Sequence, residues 1–177
     1  ERGWITTADA DGLDLRWGNV GALLELTRKI GSREGFGAIF AEGTVPAARR
    51  IRPEAVDIVA HVKGLDIPAH DPRSCFSLAP TYATGTRGAC HFRGPCEDIE
   101  MGGFDLPEAG IGTKMTKFFE RENKALVAAK CQDLGVLCNS LVLCLFMVDG
   151  GGWSLSGVAE LFNAITGWDC TPDALLR

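Results

Sequence analysis

Apolar positions recur at helical spacing in several separate windows of the chain, and polar caps bracket most of them. Asn19 precedes Leu23, Leu24, Thr27 and Ile30, which reads as a capped first helix closed by Gly31 or Gly35. A second helix is expected over residues 37–51, with Pro53 at its exit because proline disfavours helical backbone in the residue before it. Residues 77–82 suit a short helix. Met115, Phe118, Phe119, Leu126 and Ala129, at spacings of three, four and seven, predict a longer helix leading to Cys131. Val158, Leu161, Phe162 and Ile165 follow a cap at Ser154 or Ser156 and stop at Gly167, and Thr171-Pro172 opens a further helix. Extended segments are fewer. Leu13, Leu15 and Trp17 alternate as in a short strand or arm, and residues 56–68 read as a strand pair or an irregular arm. The fold class is therefore mainly α and multi-helical, with few short extended segments.

One stretch organises the rest. Cys131-Gln132-Asp133-Leu134-Gly135-Val136-Leu137-Cys138 separates the long helical pattern from the most apolar run, residues 141–148. Gly135 predicts a sharp turn there, and a new helix beyond it would put Cys138 in a first turn, where free N–H groups and the helix dipole favour an anion. The same residues also read as a helix–turn–helix corner with two buried structural cysteines.

A second dense spot is Thr84-Gly85-Thr86-Arg87-Gly88-Ala89-Cys90-His91, which combines two glycines, a fixed cation and an imidazole that titrates near neutral pH. Cys90 and His91, even with Cys96 nearby, fall short of the four ligands of a structural zinc site. His61 lies among apolar residues and reads as a packing residue. Asp71-Pro72-Arg73 marks a turn, and residues 94–112, rich in Gly, Pro and acid, a long loop. The acid run Asp9, Asp11, Asp14 is not an EF-hand, since Val20 stands where the twelfth-position Glu belongs.

Composition narrows the function classes. Hydrophobic residues make up 46% and charged ones 23% of 177 residues, an ordinary globular balance of one domain or two small ones. A net charge of −5 argues against nucleic acid or an anionic membrane as partner, and no apolar run is long enough to span a bilayer. Seven cysteines without a CxxC pair indicate neither a disulfide framework nor a zinc ribbon, which places the chain in a reducing, cytoplasmic setting. No initiating Met opens the chain and its final helix stops short, so it reads as an excised piece of a longer protein.

Asp9-Ala10-Asp11-Gly12-Leu13-Asp14 and Asp133-Leu134-Gly135-Val136-Leu137-Cys138 echo one another: an Asp, a Leu four later, and an Asp or Cys five later. With Val62-Lys63-Gly64-Leu65, Asp71-Pro72-Arg73 and Arg87-Gly88-Ala89-Cys90-His91, this set resembles the tungsten-dependent aldehyde ferredoxin oxidoreductase family over nearly the whole chain. The first motif is a full DxxGL(C/D) match, whereas the second carries Val136 where the family usually has Gly. The resemblance implies the two helical C-terminal domains of such an enzyme, as one piece over residues 1–177 or as two packed parts, 1–90 and 91–177.

The resemblance also implies roles. Asp9, Gly12, Leu13 and Asp14 would hold one pterin of a tungsten (or molybdenum) bis-molybdopterin, and Asp133 and Leu137 the other. Cys138 would be the last thiolate of a [4Fe–4S] cluster, and His91 the proton-transfer residue beside the metal. The other three cluster cysteines, the active-site glutamate and a β-domain would lie upstream, so both cofactors are expected only in the full-length enzyme. That enzyme would oxidise an aldehyde and pass electrons to ferredoxin. The alternatives are reduction of a carboxylic acid or aromatic thioester on the same cofactor, or a non-catalytic helical module with structural cysteines.

Overall fold

The computed structural model describes residues 2–112 and 115–176. These fall into two compact units, divided between Asp66 and Ile67. The resemblance implies one piece over residues 1–177 or two packed parts, 1–90 and 91–177.

In the first unit, Asn19 caps α1 (Val20–Ser32), its Oδ1 accepting from the Ala22 N–H at 3.2 Å. The helix ends at Arg33, which itself adopts the left-handed conformation, rather than at either glycine. The single helix expected over residues 37–51 is instead two pieces. A 3-10 turn (Gly35–Ile39) is followed by a break and then α2 (Thr44–Ile51). Gly43, at φ +99°, makes that break, because only glycine enters this backbone region without a steric penalty. A two-residue hairpin closes the unit, β1 (His61–Val62) pairing antiparallel with β2 (Leu65–Asp66) in register His61↔Asp66. Residues 13–17 form no strand, and Trp17 is 94% exposed.

The second unit holds α3 (Leu78–Thr84), α4 (Cys96–Met101), α5 (Lys124–Ser140), α6 (Leu145–Asp149), α7 (Leu155–Thr166) and α8 (Pro172–Leu175). Leu78, Tyr82, Ile99, Ile111, Val127, Leu134 and Leu155 form its core. Ser154 and Thr171 cap α7 and α8 through their hydroxyls, and Gly167 closes α7 in the left-handed conformation, all three as the sequence predicts. The mainly α expectation holds.

Three local expectations do not hold. Residues 94–112 are not a long loop but contain α4, a 3-10 turn at Pro107–Ala109 and a bridge between Leu106 and Ile111. Two of its acids are turned inward: Glu97 and Glu100 are buried. Met115, Phe118 and Phe119 lie before α5 rather than on it, with Phe119 and Asn123 at positive φ. Finally, α5 runs unbroken through Gly135. No described helix is long and apolar enough to cross a membrane.

Candidate functional site

His91 opens a 3-10 turn, His91–Arg93, between α3 and α4. Its ring lies 4.3 Å from that of His70 at an interplanar angle of 31°, and 4.3 Å from Phe92. Phe92 in turn meets Phe146 of α6 edge-on at 5.5 Å. These side chains, with Glu97, Asp98 and Leu145, line a cavity of about 200 Å³. Burial holds the His91 imidazole below its ordinary pKa, and neighbouring His70 adds to this while Asp98 opposes it. His91 is thus kept neutral and half-buried, the state a proton acceptor requires.

The cavity has a second chemical aspect that the sequence does not reveal. One ligand-type atom each of His70, His91 and Glu97 lies within 4.8 Å of the other two. His70 Nδ1 is 4.0 Å from Glu97 Oε1. Glu97 and His70 are missed in the sequence because Glu97 sits inside a stretch read as a loop and His70 just before one read as a turn, six and twenty-one positions from His91. Nothing in their spacing marks them.

The turn bearing His91 rests directly on α5. A Cβ at Gly135 would come within 2.7 Å of the Arg93 carbonyl oxygen and 3.4 Å of that of Phe92. Gly135 is therefore a close-approach glycine inside a helix and not the predicted turn. The break comes later, at Val142, where φ is +56°. In consequence Cys138 sits near the C-terminal end of α5, where carbonyls rather than N–H groups are free. Burial pushes its thiol pKa up, with Cys144 adding to this. The expectation of a thiolate stabilised by a helix N-terminus is corrected accordingly. A Gly135→Ala variant should lose about 1–3 kcal/mol, since backbone must shift to admit the methyl group. Thermal unfolding of the variant chain checks this.

The remaining predicted residues of the second motif are on the same helix. Asp133 is exposed, and Leu137 is buried. The first motif lies in the other unit. Asp9 Oδ2 accepts from the N–H and the hydroxyl of Thr6 at 2.8 and 2.6 Å, and Asp14 is bound by Arg16 Nε at 2.8–2.9 Å. Gly12 takes φ +84° in the tight loop. Asp11, between them, ties the loop down by accepting from the Phe36 N–H at 2.7 Å and pairing with Lys29 at 2.8 Å. Leu13 and Asp14 then line an open cavity of about 560 Å³ together with Trp4, Arg16 and Trp17.

The sequence model of the family described as aldehyde ferredoxin oxidoreductase, domains 2 & 3, matches residues 1–177. The chain belongs to that family. It is 33% identical over 178 residues to a tungsten-containing aldehyde ferredoxin oxidoreductase of Pyrococcus furiosus, covering all of this chain and 28% of the relative. A tungsten-containing aldehyde ferredoxin oxidoreductase of Thermococcus kodakarensis is 31% identical, again over all of this chain and 28% of its own length. An aliphatic sulfonate oxidoreductase, WOR-like subunit, of Pyrococcus furiosus is 28% identical over 183 residues and 24% of its length. The chain thus spans little more than a quarter of the curated relatives it matches.

The relatives named above are tungsten-containing. A cavity of about 560 Å³ walled by two first-motif residues and two indoles is of ligand size. The carboxylate lining it is that of Asp14, an acceptor of the type that ring N–H groups need, which here is bound by Arg16; Asp9 is not part of this wall. Cys138, buried near the end of α5, is a single thiol. Among the described residues no cluster of three or more Cys, His, Asp or Glu includes it, so it is not a metal site by itself.

Proposed function

We propose that this chain is the helical part of a tungsten-dependent oxidoreductase that converts an aldehyde and water to a carboxylic acid, two electrons and protons. The electrons leave through a [4Fe–4S] cluster to ferredoxin, and the enzyme works in the cytoplasm. The whole-chain family match carries this reading. It also disfavours a non-catalytic helical module, because a module with structural cysteines alone has no need of both echoing motifs.

In this reading Asp9, Gly12, Leu13 and Asp14 hold one pterin, Asp133 and Leu137 the other, and Cys138 supplies one cluster thiolate. The bound tungsten centre supplies the two-electron redox chemistry. The chain's own residues supply the rest. Phe92, Leu145 and Phe146 give the cavity beside His91 an apolar wall. His91, neutral because burial disfavours its charged form, accepts a proton released as water adds to the aldehyde carbon.

The test is anaerobic purification of the full-length protein, with tungsten and iron analysis and an assay of aldehyde-dependent ferredoxin reduction. Tungsten, iron and aldehyde turnover are the expected result, and a metal-free protein without turnover would overturn the proposal. Cys138→Ser in the same protein should lower iron content and abolish ferredoxin reduction while leaving tungsten largely in place. Unchanged iron would remove Cys138 from the ligand set.

A further inference from the structure

His70 is absorbed by no motif, yet the fold holds it more firmly than a surface histidine. Its backbone carbonyl accepts from the Tyr82 hydroxyl at 2.8 Å, and Tyr82 is only 2% exposed in the core. Its own N–H donates to the Pro68 carbonyl at 2.6 Å. With the backbone pinned on both sides, the ring is delivered onto His91 at 4.3 Å centroid separation. The two imidazoles differ in what surrounds them. His91 faces the half-buried cavity. The His70 side chain is 39% exposed and stands 4.0 Å from a carboxylate whose side chain is only 5% exposed, Glu97.

One ligand-type atom from each of the three groups lies within 4.8 Å of the others, and the two rings are tilted by 31° with centroids 4.3 Å apart. That arrangement suits a pair of imidazoles exchanging a proton through one water molecule.

We propose that His70 is the positioning and proton-exit partner of His91, with Glu97 holding the proton's charge while it passes to solvent. This rests on the role of His91 proposed above. The step conserves atoms and electrons: the N–H proton of a protonated His91 passes through one water to a ring nitrogen of His70. His70 then gives a proton to bulk water, and both rings return to the neutral state. Glu97 takes no proton in this step. The titratable groups facing the pair are Glu97 and Asp98 from α4, at the wall of the same cavity, and Tyr82 from α3, which binds the His70 backbone.

The experiment compares His70→Phe, Glu97→Gln and His91→Ala in the metal-loaded full-length enzyme. Phenylalanine keeps a flat ring for the stack but carries no proton. The expected result for His70→Phe is a loss of kcat of about tenfold or more, with KM and metal contents unchanged. Its acid limb should move to higher pH, because the His70 charge no longer opposes protonation of His91. Glu97→Gln, which keeps the side-chain shape, should lower kcat in the same direction at unchanged KM. If both variants retain wild-type kcat and acid limb while His91→Ala is inactive, the relay is overturned and the role of His91 stands. If His91→Ala also keeps full turnover, the role of His91 itself falls and the relay with it. Loss of tungsten from His70→Phe at an unchanged acid limb would also overturn the relay, by showing a purely structural residue.

Discussion

His91→Ala in the full-length enzyme should lower turnover by about 10²- to 10⁴-fold, the range of a general base, with tungsten and iron contents at the wild-type level. The expectation follows from position rather than from residue type alone. The imidazole stands on a turn clamped against α5 through Gly135, in a cavity lined by Phe92, Leu145 and Phe146. Burial and the adjacent His70 depress its pKa, so it stays neutral, and able to accept a proton, to lower pH than a free histidine. The acid limb of kcat/KM should therefore lie below the ordinary histidine value of about 6.5. A steady-state pH profile with parallel metal analysis checks both statements. Near-full turnover at full metal content would remove His91 from proton transfer. Loss of tungsten together with activity would recast it as a residue that orients the cofactor.

Glu100→Ala should destabilise the protein by about 3–5 kcal/mol, the cost of leaving a buried charge without its partner. Glu100 gathers the second unit around one carboxylate. It accepts from the Phe76 and Ser77 N–H groups at 3.1 and 2.9 Å, from the Ser77 hydroxyl, and from the Cys75 thiol at 3.0 Å. It also pairs with Lys124, the first residue of α5, at 2.5 Å, where both side chains are under a tenth exposed. One side chain from α4 thus ties the segment entering α3 to the start of α5. Burial alone would raise its pKa, but the bonds from Cys75, Lys124 and Ser77 outweigh burial and hold it below the ordinary value. A carboxylate with a depressed folded pKa stabilises fully above its unfolded pKa of about 4.3 and loses that contribution as pH falls through the folded value. Chemical denaturation of wild type and variant near pH 7 and at pH 3 should show the difference shrinking in acid. An equal difference at both pH values would mean the effect is packing and not charge.

Helix caps are legible because they are local. Asn19, Ser154, Gly167 and Thr171 each act on backbone within three or four residues of themselves, so residue type and spacing suffice. The family resemblance is legible for a related reason, since the two echoing motifs keep residue types at fixed short offsets. Where the sequence misleads, one residue type has two physical uses. Gly135 reads as a turn because glycine tolerates positive φ, but here it is chosen for its missing side chain, which lets the His91 turn reach α5. Acidic Glu97 and Glu100 read as part of a long loop because their burial depends on partners far along the chain, at His70, Cys75, Ser77 and Lys124.

By itself the sequence determines the helical class, the capped ends of α1, α7 and α8, and the residues that mark the family. Each of these depends on short-range periodicity or on side chains that satisfy neighbouring backbone. Only the tertiary structure decides that α5 continues past Gly135, that Cys138 lies at the carbonyl end of that helix, and that His70 and Glu97 stand beside His91. Those placements come from packing one element against another, where close approach and buried charge outweigh the local preference of the chain.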